Sequence, residues 1–272
     1  MSAKTLISRF LVSASVVAAL AAIPSSASAA VFNSPLDGYW PMIKSAQKVI
    51  DISGAGNNGV IGHTTQSDRW DPNWVPGLFG IGNALRFDGN DYVEVPDTGS
   101  LSPKRVTLEA WARADKSPGQ YKYIASKGGR TCRSGSFGLY SSINGGAAFY
   151  VYDGTRWHRS PMVSPKVWDG QWHHFAGTYD GKKVRLYVDG SEIGTGTTFT
   201  GEIDYDLPNR LFYIGAYRGS CDLTMEGDID EVRLWDRALS VDTIWNTIRG
   251  FLTQEPAAPG LPEDAGDWTT VG

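Results

Sequence analysis

Cysteine is scarce: Cys132 and Cys221 are the whole complement of 272 residues. Two isolated cysteines lack the clustered spacing that a zinc site needs, so thiolate–metal chemistry is excluded. Excess positive charge is missing too. Lysine and arginine number 25 against 29 acidic residues, a net charge of −4, whereas phosphate binding needs a concentrated basic face. Nucleic acid is not an expected partner. The longest apolar run, residues 10–23, has 14 residues, short of the roughly 20 that cross a bilayer as a helix, so no membrane span is expected. The glycine-rich stretch 53–62 has no Lys-Ser/Thr ending and precedes no helical pattern, which excludes a phosphate loop, and no dinucleotide fingerprint occurs. No serine sits in a nucleophile-elbow context.

What is present begins with an export signal. Lys4 and Arg9 lead into the apolar run, Pro24 breaks it, and Ala27-Ser28-Ala29 supplies small side chains for cleavage. Residues 1–29 are read as a signal peptide and the protein as secreted; without them the net charge moves to about −6. In an oxidising compartment Cys132 and Cys221 are expected to pair. They lie 89 residues apart, and closing that span removes about 4–5 kcal/mol of unfolded-chain entropy. Ten Trp, 12 Tyr and 10 Phe exceed what a core usually hides, which leaves aromatic rings for the surface.

From about Ala84 onward, hydrophobic residues alternate with a period of two. Residues 106–111 show it, as do 183–188, with Val184, Leu186 and Val188 on one face. Asp88-Gly89, Asp153-Gly154, Asp180-Gly181 and Asp189-Gly190 each follow a strand-like run and supply the positive φ of tight hairpin turns. Asn144-Gly145-Gly146 does the same between strands 137–141 and 147–152. The pattern predicts an all-β fold, a two-sheet antiparallel sandwich, spanning residues 30–253. One short helix is expected from a Ser240 cap to Arg249, with Val241, Ile244, Trp245 and Ile248 on one face and Gly250 closing it. Residues 51–74 read as loop, and 254–272, rich in Pro, Gly and acid, as a tail.

Several blocks resemble a known family. They are Asn83-Ala84-Leu85-Arg86-Phe87-Asp88-Gly89, Asp91-Tyr92-Val93-Glu94-Val95-Pro96, Trp172-His173-His174-Phe175-Ala176-Gly177-Thr178-Tyr179-Asp180-Gly181, Leu186-Tyr187-Val188-Asp189-Gly190 and Gly227-Asp228-Ile229-Asp230-Glu231-Val232-Arg233-Leu234-Trp235. Together they are similar to the LamG-like jelly-roll domains of the concanavalin A-like lectin/glucanase superfamily. The resemblance implies two curved stacked sheets with ligand on a concave face and its rim loops. It also implies a structural Ca²⁺ held by the Asp230 carboxylate and the Gly89 carbonyl, with Asp51 or Asp88 adding oxygens; hard oxygen ligands suit that ion.

Because a fold does not fix a function, three chemistries are set side by side. The first is a non-catalytic, lectin-like carbohydrate site at Tyr152, Arg156, Trp157, Tyr217 and Arg218. Aromatic rings stack sugar C–H faces, and guanidinium forks match paired hydroxyls, carboxylates or sulfates. Arg130 and Arg133 beside Cys132 would favour an acidic or sulfated glycan. The second is glycoside hydrolysis by Glu226 and Glu231, since Glu-x-Asp-x-x-Glu resembles the laminarinase-type catalytic strand. Plain strand alternation puts these two glutamates on opposite faces unless a bulge intervenes. The third is an adhesion or protein-interaction module. His173 and His174 are read as hydrogen-bonded structural residues.

Overall fold

The computed structural model describes residues 36–129, 131–132 and 135–252, the final two by backbone only. The expected signal peptide, the expected tail, Arg130 and Arg133 lie outside the described residues. In chain order the strands are β1 (Gly38–Trp40), β2 (Lys44–Ser45), β3 (Lys48–Val49), β4 (Gly59–Ile61), β5 (Asn73–Pro76), β6 (Asn83–Asp88), β7 (Val93–Val95), β8 (Val106–Arg113), β9 (Tyr123–Gly129), β10 (Phe137–Tyr140), β11 (Ala148–Tyr152), β12 (Trp157–Arg159), β13 (His173–Tyr179), β14 (Lys183–Val188), β15 (Ser191–Glu192), β16 (Thr197–Thr198), β17 (Asn209–Ile214) and β18 (Glu226–Trp235). Helix α1 (Val241–Leu252) follows. Among the described residues no helix is long and apolar enough to cross a membrane.

The strands form two antiparallel sheets, as the alternation predicts. The first has the order β15-β14-β13-β8-β18-β6-β5, with β1 also on β18 and β16 on β14; the second runs β12-β11-β10-β9-β17-β7-β4-β3-β2. Alternation points Leu85, Phe87, Leu108, Ala110, Phe175, Leu186 and Ile229 inward from the first sheet. Val93, Val95, Phe137, Leu139, Phe149, Phe212 and Ile214 meet them from the second, all buried in one core. The sheets touch closely at Gly177, where an added Cβ would fall 2.1 Å from the Phe149 ring. Asp189 (φ 49°) and Gly190 (φ 76°) turn β14 into β15, the left-handed pair a two-residue hairpin requires.

Three local expectations change. β8 is buried through Ala112 on both faces, because the second sheet covers one face while the 237–239 segment, α1 and Phe79 meet Thr107, Glu109 and Trp111 on the other. The helix does not stop at Arg249 but runs through Gly250 to Leu252. Ser240 Oγ does cap it, accepting from Thr243 N at 3.2 Å. Burial of Ile244 and Ile248 on the sheet and a Thr247–Glu109 hydrogen bond of 3.2 Å outweigh the about 1 kcal/mol cost of a helical glycine. The stretch 51–74 is not all loop: β4 pairs with β3 and β7, and β5 begins at Asn73. A three-residue strand is too short for periodicity to reveal.

Candidate functional site

The site begins with side chains that the core rejects. With Val93 and Val95 turned inward on β7, and Phe212 and Ile214 on β17, alternation presents Tyr92, Glu94 and Tyr213 on the outer face of the second sheet. Glu94 and Tyr213 are cross-strand partners. Toward the opposite edge the same face carries Tyr123, Tyr140, Tyr150 and Tyr152, which bury one another together with Tyr217. A small hairpin fastens this half, Tyr217 and Leu223 exchanging backbone hydrogen bonds of 3.1 and 3.0 Å. The expected disulfide anchors the hairpin: Cys132 and Cys221 are bonded, with Cα atoms 5.1 Å apart. The outer face is therefore filled by the chain's own tyrosines on one side and open on the other.

The open side is a cleft of about 710 Å³ lined by His63, Trp70, Glu94, Asn209, Arg218 and Asp222 above Tyr92 and Tyr213. The two tyrosines are only 2% exposed and meet edge to face at 6.4 Å; they form a floor. The Arg218 guanidinium lies 4.1 Å above the Tyr92 ring, and its Nε reaches Asp222 at 3.2 Å. Asn209 Nδ2 donates to the Tyr213 hydroxyl (2.8 Å) and to the Arg218 carbonyl (2.6 Å), fixing floor and rim together. Tyr92 Oη and His63 Nδ1 are 3.0 Å apart, and Trp70 flanks Tyr92 at 6.4 Å. Burial raises the Glu94 carboxyl above its ordinary range, with Arg218 and His63 opposing. Burial and nearby acids push Tyr213 up to about 12, against the Asn209 hydrogen bond. Burial disfavours the charge on Arg218, but Tyr92, Asp222, Tyr213 and Glu94 together raise its pKa. The cleft offers donors and acceptors in fixed positions, with the half-buried Trp70 as its accessible apolar surface.

Of the five residues expected to bind ligand, Arg218 alone lines this cleft. Tyr217 is fully buried, its hydroxyl given to the Thr131 carbonyl, so it is a packing residue. Tyr152 is 9% exposed and donates to the Gly154 carbonyl at 2.9 Å. Trp157 is 37% exposed, with Arg159 over its ring at 5.0 Å, and Arg156 is exposed at the turn. Trp157 lies on β12, four strands from β17, a separation of about 19 Å at sheet spacing. The five do not form one site, because the tyrosine-filled half of the face divides them. Alternation in Asp91-Tyr92-Val93-Glu94-Val95 places Tyr92 and Glu94 opposite the core, the one signal in the sequence that points to this cleft.

The carboxylate pair Glu226 and Glu231 does not come together either. A bulge interrupts the register between Asp230 and Arg233, with Glu231 at φ 54°. Even so, Glu231 accepts from Tyr39 Oη (2.6 Å) and Arg233 Nη2 (3.1 Å) in a buried pocket. Glu226 is exposed at the far end of β18, opposite Asp88. A retaining hydrolase needs its carboxylates about 5–5.5 Å apart with substrate between them; Glu231 is enclosed by protein instead. The expected calcium ligands are separated as well. Asp230 accepts backbone N–H groups from Leu78 (2.9 Å) and Glu231 (2.8 Å), and burial, with the charge of Glu231, raises its pKa to about 8. The Gly89 carbonyl accepts from Thr224 Oγ1 and lies beyond the Asp88–Glu226 pair, about 13 Å or more along the strand from Asp230. These two residues do not fit a shared Ca²⁺. Among the described residues no group of three or more His, Cys, Asp or Glu is arranged to hold a metal ion. The His173 ring is hydrogen-bonded as expected, whereas the buried His174 ring has, among the described residues, no hydrogen bond to either nitrogen. His173 bonds Asp189 (2.6 Å) and Asp169 (3.2 Å), and His174 lies buried 3.3 Å from Glu109.

Comparison with known proteins agrees with this architecture. A family model described as the concanavalin A-like lectin/glucanases superfamily matches residues 87–245. Mouse pappalysin-1 is 25% identical over 140 residues, covering 47% of this chain but only 9% of that protein. Domain 4 of AbnA, an extracellular arabinanase from Geobacillus stearothermophilus solved with arabinotriose, superposes with a TM-score of 0.59 at 18% identity. That match covers 78% of this chain and 98% of the other. The binding domain of Paraclostridial Mosquitocidal Protein 1 gives 0.62 at 14% identity, covering 82% of this chain and 53% of that one. Trypanosoma rangeli sialidase gives 0.57 at 18%, covering 86% of this chain and 34% of that one. At these identities the likeness is one of fold.

Proposed function

The chain belongs to the concanavalin A-like lectin/glucanases superfamily, and from that premise we propose that it is a secreted carbohydrate-binding module whose ligand sits in the cleft on the outer face of the second sheet. The observation that carries this reading is the cleft itself: Glu94, Asp222, Asn209, His63 and Arg218 around about 710 Å³, with Trp70 at the side. Sugar hydroxyls both donate and accept, so they need carboxylates and cationic donors in one concavity, with an apolar surface for their C–H face. Two carboxylates face one arginine here, and that arginine is already paired with Asp222. The balance favours an uncharged sugar over the acidic or sulfated glycan that the arginines alone suggested. The arabinotriose complex of a similarly folded domain and the disulfide, which suits an oxidising compartment, support the reading.

The test is a glycan array followed by titration of two variants, Trp70→Ala and Glu94→Gln. Each should weaken binding of neutral oligosaccharides by about tenfold or more, the equivalent of one or two charge-assisted hydrogen bonds or a stacked ring, with an unchanged melting temperature. Wild-type affinity in both variants would reject the cleft.

A further inference from the structure

A second cavity, of about 730 Å³, opens on the outer face of the first sheet, the opposite side of the sandwich from the first cleft. Its wall is a cross-strand row. Asn73 on β5 pairs with Arg86 on β6, Arg86 with Asp228 on β18, and Asp228 with Arg113 on β8. Asp228 is 3% exposed and accepts three charge-assisted hydrogen bonds: from Arg86 Nε (2.7 Å) and Nη2 (2.9 Å), and from Arg113 Nε (2.8 Å). One carboxylate thus orients two guanidinium groups, and the triad keeps one surplus positive charge. The side chains of Arg86 and Arg113 remain 54% and 33% exposed. Arg113 is further fixed by lying 4.8 Å over the Trp172 ring. Among the described residues its protein hydrogen bond uses Nε alone, so both Nη groups stay available as a fork.

A single arginine would satisfy Asp228; a second one, stacked on a ring with its fork unspent, is the arrangement that recognises a planar oxyanion. Lys116 and Asp115 add one charge of each sign to the same lining. Next along the strands, Glu226 and Asp88 stand directly opposite each other, both exposed into the cavity. Like charges paired across strands cost stability, and a ligand that donates hydroxyls to both relieves that cost. The cavity therefore has a cationic wall beside an acceptor wall.

We propose that this cavity is a second ligand site, for a hydroxylated carboxylate of the uronic-acid type. Its carboxylate lies on the Arg113 fork, with Arg86, whose own fork holds Asp228, adding positive charge beside it, and its hydroxyls donate to Glu226 and Asp88. Glu226, singled out by its spacing to Glu231, then serves as a hydrogen-bond acceptor. The two sites lie on outer faces of opposite sheets, so the domain engages two sugars of different charge at once.

Calorimetric titration with D-galacturonate and with D-galactose tests this, since the two differ by a carboxylate in place of a hydroxymethyl group. Galacturonate is expected to bind about tenfold tighter or better, as a charge-assisted bidentate contact implies, and to weaken in high salt. Arg113→Gln should abolish the preference. Asn73→Asp leaves all three donors to Asp228 in place and should still weaken galacturonate several-fold by adding negative charge at the row's end, so the proposal stays testable if Arg113→Gln fails to fold. Trp70→Ala, in the other cleft, should leave galacturonate binding unchanged. Equal affinity for the two sugars, no binding of galacturonate, an Asn73→Asp variant that binds as wild type, or loss of galacturonate binding in Trp70→Ala would each overturn the proposal.

Discussion

Single residues in this molecule keep charge on an outer sheet face that is nonetheless buried. Glu109, His174 and Arg233 lie on the outer face of the first sheet beneath α1, all at most 1% exposed. Burial opposes the charge of Glu109. His174, whose ring nitrogen approaches to 3.3 Å, the charge of Arg233 and the Trp235 N–H (3.1 Å) together reverse this and lower its pKa. Removing one member of such a group strands the others, so Glu109→Ala should cost about 3–5 kcal/mol in chemical denaturation. His173 gives a pH signature. Its hydrogen bond to Asp189, aided by the charges of Asp189 and Asp169 against partial burial, raises its pKa above the ordinary 6.5. The folded state therefore holds a proton that the unfolded chain releases near 6.5. The added stability is complete below that pH and is lost as pH rises through the folded value. Asp189→Asn keeps a residue suited to the left-handed turn while removing the charge. Melts of the two proteins from pH 6 to about 9 should show a smaller decline in the variant; identical slopes would assign no role to this pair.

At the scale of elements, close approaches and caps decide stability. Gly177→Ala pushes a methyl group into the Phe149 ring, and overpacking of this kind costs about 1–3 kcal/mol, readable as a lower urea midpoint. Ser240→Ala removes the α1 cap and should cost about 1 kcal/mol without touching either cleft. Most of these elements could be read directly from the chain: the Asp-Gly turns and the alternation in 183–188 became β14 and its hairpins. Other features were hidden for physical reasons. The outer burial of β8 depends on where the 237–239 segment, α1 and Phe79 pack, and β4 is too short to show a period. The bulge in β18 arises where Asp230 and Glu231 meet neighbours far away in the chain.

For the molecule as a whole, the disulfide and the hairpin it holds divide the outer face of the second sheet into a filled half and an open one. Reduction of Cys132–Cys221 should lower stability by up to about 4–5 kcal/mol and loosen the cover over Tyr123 and Tyr150, seen as faster amide exchange in 217–223. The pairing was legible from two cysteines and the expectation of an oxidising compartment. The cleft was not, because it assembles His63, Trp70, Glu94, Asn209 and Arg218 from four separate segments, and no local pattern links them. The expected hairpin site failed for the complementary reason: Tyr152, Trp157 and Tyr217 share a face, but packing consumed the rings between them. The most direct test of the central claim is chemical-shift mapping of the isotope-labelled protein titrated with the tightest-binding neutral oligosaccharide from the array. Binding in the cleft predicts shifts confined to amides of residues 63–70, 92–94, 209–213 and 218–222, with β12 silent. Shifts centred on Trp157 and Arg159, with the cleft unmoved, would contradict it.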